Sequence, residues 1–482
     1  MAENDGAKTQ KSESPKGVIE VGNKYFGTDG YRGEANVDLT SMNAYKIGRF
    51  LGWFCVNNLS KSHNDRPKIL IGKDTRRSSY MLEYSIAAGL SASGADVYML
   101  HVTTTPSVSY VTRQDEFDFG IMITASHNPY YDNGIKIINR FGEKLEDETA
   151  ALIEAYIDGN LEALGVAGND LPLATREKIG LIVDYSSGRN RYVAYLISLA
   201  SHSYKKLRIG LDSANGASWM IARAVFGALG AQLEVIGDEP DGLNVNKGCG
   251  STHIDRLKKL VREEHLDVGF AFDGDADRCI AVDEKGNEVD GDCMLYILAQ
   301  RLKSRGMLTD NTVVATVMSN SGFVQSLERA GMKCRQTKVG DRFVYECMQE
   351  NDYALGGEQS GHIIIRKYAT TGDGILTAIM ILEEMCDTKL ELSKLREPVM
   401  LYPQYTKNIR VKDKAKAISD SGVRKAKEQV EELINKKGRV LLRESGTEPV
   451  IRIMIESESE SKCREYADII ARAVAEGGHT VE

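Results

Sequence analysis

The chain has 482 residues, too many for one hydrophobic core, and that length suggests about three domains. Its 42% hydrophobic and 27% charged residues are ordinary for a globular protein, and no apolar run approaches the roughly 20 residues of a membrane span. A net charge of −8 argues against a nucleic-acid polyanion as the main ligand, although local basic loops can still hold a phosphate.

Residues 1–22 are polar, rich in Lys, Ser and Glu, and lack the apolar core of a signal peptide, so they read as a disordered tail. The eight cysteines are scattered without a Cys-x-x-Cys pair, as in reduced cytosolic proteins. The eight histidines do not cluster either, so any metal is expected on oxygen ligands.

In chain order, Tyr25-Phe-Gly-Thr-Asp-Gly-Tyr-Arg32-Gly33 comes first. It is a glycine-rich loop able to wrap an anion, with Arg32 as a fixed fork. Next, Ile69–Ile71 reads as a strand, Gly72-Lys-Asp74-Thr-Arg76-Arg77-Ser as a loop, Met81–Ser93 as a helix and Ala95–Leu100 as a strand. The apolar run Phe119–Ile123 ends in Thr-Ala-Ser126-His127-Asn-Pro129. Those small, turn-forming residues display Ser126 at a strand's end, where open α/β sheets place reactive groups. Its hydroxyl can cap a turn or, once activated, carry a phosphate.

The strand–loop–helix–strand pattern recurs from Leu207 to Ile236 and from Thr312 to Thr337, which suggests three similar α/β domains. Between those repeats lies Val268-Gly-Phe-Ala-Phe-Asp273-Gly-Asp275-Ala-Asp277-Arg278. Carboxylates at i, i+2 and i+4 between apolar strands can converge on one hard cation, Mg²⁺ or Ca²⁺. An EF-hand is a poorer reading, since Arg278 stands where its turn glycine belongs. An aspartyl-phosphate nucleophile at Asp273 and a plain acidic turn are the other two.

Further on, Gly340-Asp341-Arg342 opens a helix. Tyr353–Leu355 reads as a strand leading into Gly356-Gly-Glu358-Gln-Ser360-Gly-His362, whose side chains suit a polyhydroxylated ligand. Thr370-Thr-Gly-Asp-Gly374 starts an apolar helix through Met385. From about Pro398 the texture changes to a strand (Tyr405–Val411), a charged helix (about Ile418–Lys436) and a strand (Arg439–Leu442). The loop Arg443-Glu-Ser445-Gly446-Thr447-Glu-Pro449, followed by Arg452, offers two arginines, two hydroxyls and backbone N–H groups for a phosphate dianion.

Six stretches in this order resemble the α-D-phosphohexomutase superfamily: Phe26–Gly33, Gly72–Arg76, Thr124–Lys136, Asp273–Arg278, Gly357–His362 and Arg443–Pro449. Tyr130–Lys136, Lys338–Arg342 and Thr370–Gly374 look like its glucosamine branch. Two positions depart from the branch's commonest form: Ala276, where many members carry glycine, and Ile137-Ile138, where aromatics are usual.

The resemblance implies an α/β fold of three similar domains with mixed sheets plus a smaller C-terminal domain with an antiparallel sheet, over 23–180, 181–288, 289–398 and 399–482. It implies that Ser126 is a phosphoserine and that its phosphate, with Asp273, Asp275 and Asp277, binds one Mg²⁺. Arg32 and Arg278 would contact that phosphate, and Glu358 and Ser360 the sugar hydroxyls. Arg443, Ser445, Gly446, Thr447 and Arg452 would hold the distant phosphate. Lys136, assisted by His127 and His362, is the expected general acid/base, provided burial and Arg32 lower its pKa.

The implied activity interconverts glucosamine 6-phosphate and glucosamine 1-phosphate through a 1,6-bisphosphate, supplying UDP-N-acetylglucosamine and cell-wall synthesis. Glucosamine or glucose 1,6-bisphosphate would act as activator. Phosphoglucomutase or phosphomannomutase activity is the alternative. The expected partners are a phosphosugar and a second copy of the chain, with no nucleic acid or membrane, in the cytoplasm.

Overall fold

The computed structural model describes residues 24–27, 29–58, 66–435, 437–445 and 449–481. The expected disordered tail, and Gly446 and Thr447 of the last loop, lie outside the described residues.

Four sheets follow one another along the chain. The first has seven strands in the order Phe26–Gly27, Gly30–Glu34, Asp132–Asn139, Phe119–Ile123, Lys68–Lys73, Asp96–Val102 and Ile182–Asp184. Its middle strands pair in parallel, while Asp132–Asn139 runs antiparallel to both neighbours. The second sheet orders Glu288–Val289, Cys279–Asp283, Val268–Phe272, Arg208–Asp212 and Gln232–Ile236. The third orders Lys333–Thr337, Thr312–Thr316, Leu355–Gly357 and Ile363–Ile365. All three are mixed. The fourth is antiparallel, with Val450–Glu456 between Gln404–Arg410 and Arg439–Glu444.

Phe119–Ile123 and Val268–Phe272 are buried along their whole length, the pattern of strands covered on both faces. One apolar core runs from Leu70 and Met122 in the first sheet through Phe270 and Phe272 in the second to Val313 and Leu355 in the third. Each such fully buried side chain contributes about 1.5–3 kcal/mol. This shared core fixes the loops of three sheets relative to one another. The fourth unit has its own core, where Val423, Val430, Ile453 and Ile470 meet between sheet and helices.

Four boundaries differ from expectation, each for a local reason. The helix expected at Met81–Ser93 spans Arg77–Ala92, because Asp74 accepts from Ser79 Oγ (2.8 Å) and seats a polar first turn that apolar periodicity does not mark. The single helix expected near Ile418–Lys436 is two, Lys414–Ser419 and Ser421–Ile434. Asp420 leaves helical geometry and caps the second through Gly422 N and Val423 N. The strand expected at Tyr353–Leu355 is Leu355–Gly357, paired with Ile363–Ile365, so Glu358 to His362 form the tip of a hairpin. Finally, the first sheet takes its last strand from Ile182–Asp184, past the expected limit at residue 180. That three-residue edge strand is too short to show alternation.

Candidate active site

The strand Phe119–Ile123 delivers its chain into a tight loop in which Ser126 adopts φ +51°, in the left-handed region. A non-glycine residue costs roughly 1–2 kcal/mol there, so the surroundings must hold it. Thr124 Oγ1 accepts from Ser126 N (2.9 Å) and donates to Asp74 (2.8 Å). Arg76, fully buried, donates to the carbonyls of Ser126 (3.0 Å), Asn128 (2.8 Å), Asp132 (3.0 Å) and Pro129. Sequence reasoning gave Arg76 no role. Its signal was an arginine in a polar loop at the end of a buried strand. Ser126 Oγ donates to Asp273 Oδ2 at 2.5 Å, so this hydroxyl meets the acidic loop of the second sheet.

Asp273, Asp275 and Asp277 converge as their spacing predicts. All are buried, with one oxygen of each within 4.8 Å of the others. Among the described residues, Asp275 Oδ1 and Asp277 Oδ1 have no hydrogen-bond partner. Burial, then the charges of Asp277 and Asp275, push the Asp273 carboxyl well up. Burial also works to raise Asp277, but Lys136 and His362 outweigh it and hold this carboxyl well below the usual range. Orphaned buried carboxylate oxygens in an all-oxygen cluster are the donor set of a hard divalent cation, so the residues fit a metal.

Ala276 within this loop has φ +55°, a glycine-like conformation. Ala276→Gly is therefore expected to stabilise the fold by up to ~1 kcal/mol, the relief of left-handed strain less glycine's entropy in the unfolded chain. A raised midpoint of thermal unfolding checks this, and a lowered one refutes it.

Lys136 Nζ lies 2.9 Å from Asp275, 3.1 Å from Asp277 and 3.2 Å from Asp29. Burial and Arg32 do lower its basicity, as expected. The three carboxylates outweigh them, however, and hold the ammonium well above its ordinary range. The expectation of a depressed lysine is thus corrected: Lys136 keeps its proton. Lys144 sits 2.8 Å from Asp29 and 2.7 Å from Asp341. His362 spans Asp341 (3.5 Å) and Asp277 (3.7 Å). These six groups close a ring, Asp277–Lys136–Asp29–Lys144–Asp341–His362, in which each carboxylate is followed by a nitrogen-bearing side chain. Asp29, Lys144 and Asp341 were not among the expected site residues. Asp29 lay in a loop read as anion-binding, yet its carboxylate serves cations, Arg32 among them.

His127 and His362 differ sharply. Burial, then Arg278 and Arg32, lower His127 to about 4, so it is neutral near pH 7. Its Nδ1 accepts from Arg278 (3.1 Å) and lies 3.4 Å from Ser126 Oγ, beside the hydroxyl. Burial works to lower His362, but Asp277 and Asp341 raise it. Gly372 N donates to its Nε2 at 3.0 Å, which fixes the Nδ1–H tautomer facing Asp277 in this arrangement. His362 is only 2% exposed and packs beside Asp277 of the acidic loop, whereas His127 stands beside Ser126 Oγ.

At the hairpin tip, Glu358 accepts from Gly340 N (3.2 Å), and the buried Ser360 Oγ has no hydrogen-bond partner among the described residues. In the fourth sheet, Arg443 and Arg452 stand directly opposite each other on antiparallel strands. Burial, then Arg452, lower the Arg443 guanidinium from its ordinary value. Two guanidinium forks so placed can share an anion between them. Ser445 follows on the same loop, and Lys414 Nζ donates to its carbonyl (2.7 Å).

Sequence profiles named phosphoglucomutase/phosphomannomutase match the chain four times. The alpha/beta/alpha domains I, II and III match residues 23–163, 190–286 and 290–402, and the C-terminal domain matches 407–473. The chain is 57% identical over 459 residues to the phosphoglucosamine mutase of Lachnospira eligens, covering 95% of this chain and 100% of that protein. Its fold is that of a phosphoglucomutase/phosphomannomutase family protein from Burkholderia thailandensis (TM-score 0.77, 22% identity, 94% and 98% of the two chains). The Aspergillus fumigatus N-acetylphosphoglucosamine mutase, solved with GlcNAc-6P and magnesium, also shares it (TM-score 0.65, 18% identity, 95% and 97%).

Proposed function

The chain belongs to the phosphoglucomutase/phosphomannomutase family, and on that premise we propose that it works as a phosphoglucosamine mutase, interconverting glucosamine 6-phosphate and glucosamine 1-phosphate. The observation that carries this is Ser126 Oγ, displayed at a strand's end against Asp273 of a three-aspartate loop, in a chain 57% identical to a phosphoglucosamine mutase.

Phosphorylated Ser126 gives its phosphoryl group to the free oxygen of glucosamine 6-phosphate: the P–O bond to serine breaks as one to the sugar forms. The sugar hydroxyl's proton is released to a base, and the serine oxygen regains one. Lys136, holding its proton at Nζ, is the candidate donor in this exchange. Neutral His127, beside Ser126 Oγ, is the candidate acceptor once Arg278 turns from its Nδ1 to the phosphoryl oxygens and frees that lone pair. Arg278 and Arg32 lie near enough to His127 to lower its basicity, a position from which they steady the phosphoryl oxygens. The resulting 1,6-bisphosphate turns round and returns its other phosphoryl group to Ser126. Arg443, Arg452 and the Ser445–Thr447 loop hold whichever phosphate is not reacting, while Glu358 and Ser360 hold hydroxyls.

Asp273, Asp275 and Asp277 would hold Mg²⁺, which offsets the negative charge spread over the transferred group. A sugar 1,6-bisphosphate would load Ser126 at the outset. A homodimer in the cytoplasm remains the proposed setting. The eight free cysteines accord with a reducing compartment, and no helix among the described residues is long and apolar enough to cross a membrane. The fourth unit is proposed to close over the sugar and exclude water. Its separate core supports such movement, and its seat on the third unit is polar: Glu456 accepts from Ser321 N (2.9 Å) and Oγ (2.5 Å).

The test compares kcat/KM for glucosamine, glucose and mannose phosphates on Ser126-phosphorylated protein. Glucosamine 6-phosphate is expected to lead by at least about tenfold, the worth of one discriminating polar contact. A lead by glucose or mannose phosphate would move the chain to the phosphoglucomutase or phosphomannomutase reading.

A further inference from the structure

Taking Ser126 as the phosphoryl carrier, as read above, we propose that Asn246 is a positioning residue for it. Asn246 reaches from the second α/β unit to pin the serine's carbonyl and so hold its hydroxyl on the acidic loop.

Ser126 keeps a left-handed backbone at φ +51°, a conformation that relaxes unless its peptide groups are tied. The tie comes from two directions. Arg76 Nη2, from the same sheet as Ser126, reaches the Ser126 carbonyl at 3.0 Å and the Asn128 carbonyl at 2.8 Å. Asn246 Nδ2 reaches the same two carbonyls at 2.8 and 3.1 Å. Asn246 belongs to the loop between the strand Gln232–Ile236 and the helix Asp255–Glu263. It is 6% exposed and is itself left-handed at φ +57°. Its own N–H donates to Ala214 O (2.9 Å), in the loop that ends the strand Arg208–Asp212.

The metal-loop backbone meets the same carbonyl. A Cβ on Gly274 would stand 2.5 Å from Ser126 O and 3.2 Å from Asn246 Nδ2, so only glycine lets these parts come together. Ser126 O is thus where the serine loop, the acidic loop and Asn246 converge. With that carbonyl fixed, Oγ is directed onto Asp273 at 2.5 Å. A staple between two domains would need only the bonds Thr75 Oγ1 to Asn215 O (2.6 Å) and Arg77 N to Gly242 O (3.0 Å), which stand nearby. Asn246 instead spends both its contacts on the backbone of the reacting residue and its neighbour.

Two variants separate positioning from stapling. Asn246→Gly removes the amide while tolerating the left-handed backbone. Asn246→Asp keeps the shape but turns an acceptor toward two carbonyls. In both, kcat should fall by about tenfold to a hundredfold with KM within about twofold, the signature of a displaced reacting group. Crystals of Asn246→Gly should show Ser126 leaving positive φ and its Oγ leaving Asp273. That second readout needs no substrate and covers the case in which Asn246→Asp does not fold. If the parent protein proves inactive on glucosamine phosphates, the proposed function fails, and the crystallographic comparison still decides this inference. An unchanged Ser126 turn, kcat within about twofold of the parent, or a loss that merely tracks the unfolded fraction overturns it.

Discussion

Ser126→Ala should abolish isomerisation, lowering kcat by at least about 10⁴, while the protein stays folded. A carrier that both gives and takes the phosphoryl group cannot be replaced by water without turning a mutase into a slow hydrolase. Neither His127 nor Lys136 supplies an alternative oxygen at Asp273 Oδ2. The structural penalty is small by comparison. Alanine adopts φ +51° at much the same cost as serine, and the loop stays tied by Arg76 and Asn246, whose bonds go to the backbone. Loss of the Oγ bond to Asp273 costs about 1–3 kcal/mol at most, in a region where that carboxylate is already disfavoured. A coupled assay for the 1-phosphate, with primer and Mg²⁺ supplied, reads the first effect, and circular dichroism reads the second. Isomerisation at the parental rate would exclude Ser126 as carrier.

Much of the site was legible because its chemistry sits in short motifs at strand ends. The spacing of Asp273, Asp275 and Asp277 forecast their convergence, and the apolar run before Thr124 forecast where Ser126 would be shown. The alternation of strand and helix forecast three α/β units, the resemblance implied their mixed sheets, and the change of texture near Pro398 forecast a different last unit. What stayed hidden was set by contacts between residues far apart in sequence. Lys136 is governed by Asp275 and Asp277, more than 130 residues away, so local composition could not give the sign of its shift. Arg76, Lys144 and Asp341 had no role assigned from the sequence, because only folding places them against backbone carbonyls or in the ring around Asp29. The broken helix at Asp420 was missed for a simpler reason: one capping aspartate interrupts a run whose periodicity continues on both sides.

Asp273→Asn should lower activity by about 10²–10⁴ and yet make the protein more stable in the presence of a chelator. The two signs come from one cause. Asp273 is fully buried, and burial with the charges of Asp277 and Asp275 raises its folded pKa well above the ordinary value. A carboxyl raised in this way costs the folded state nothing below its unfolded pKa of about 3.9, where both forms are protonated. The cost grows as pH rises from there toward the folded pKa and persists above it. Asparagine removes that cost and keeps both hydrogen bonds: its oxygen accepts from Arg278 N, and its amide donates to Ser126 Oγ. A gain of ~1–3 kcal/mol is expected at pH 7–8, shrinking toward zero near pH 3. Mg²⁺ should raise the melting temperature of the parent by mass action but leave that of Asp273→Asn nearly unmoved. Melting curves across pH, with and without Mg²⁺, check both statements. A variant less stable than its parent at pH 8 without Mg²⁺ would refute the cost of the buried carboxyl, and one still stabilised by Mg²⁺ to the parental extent would refute a cation shared by the three carboxylates.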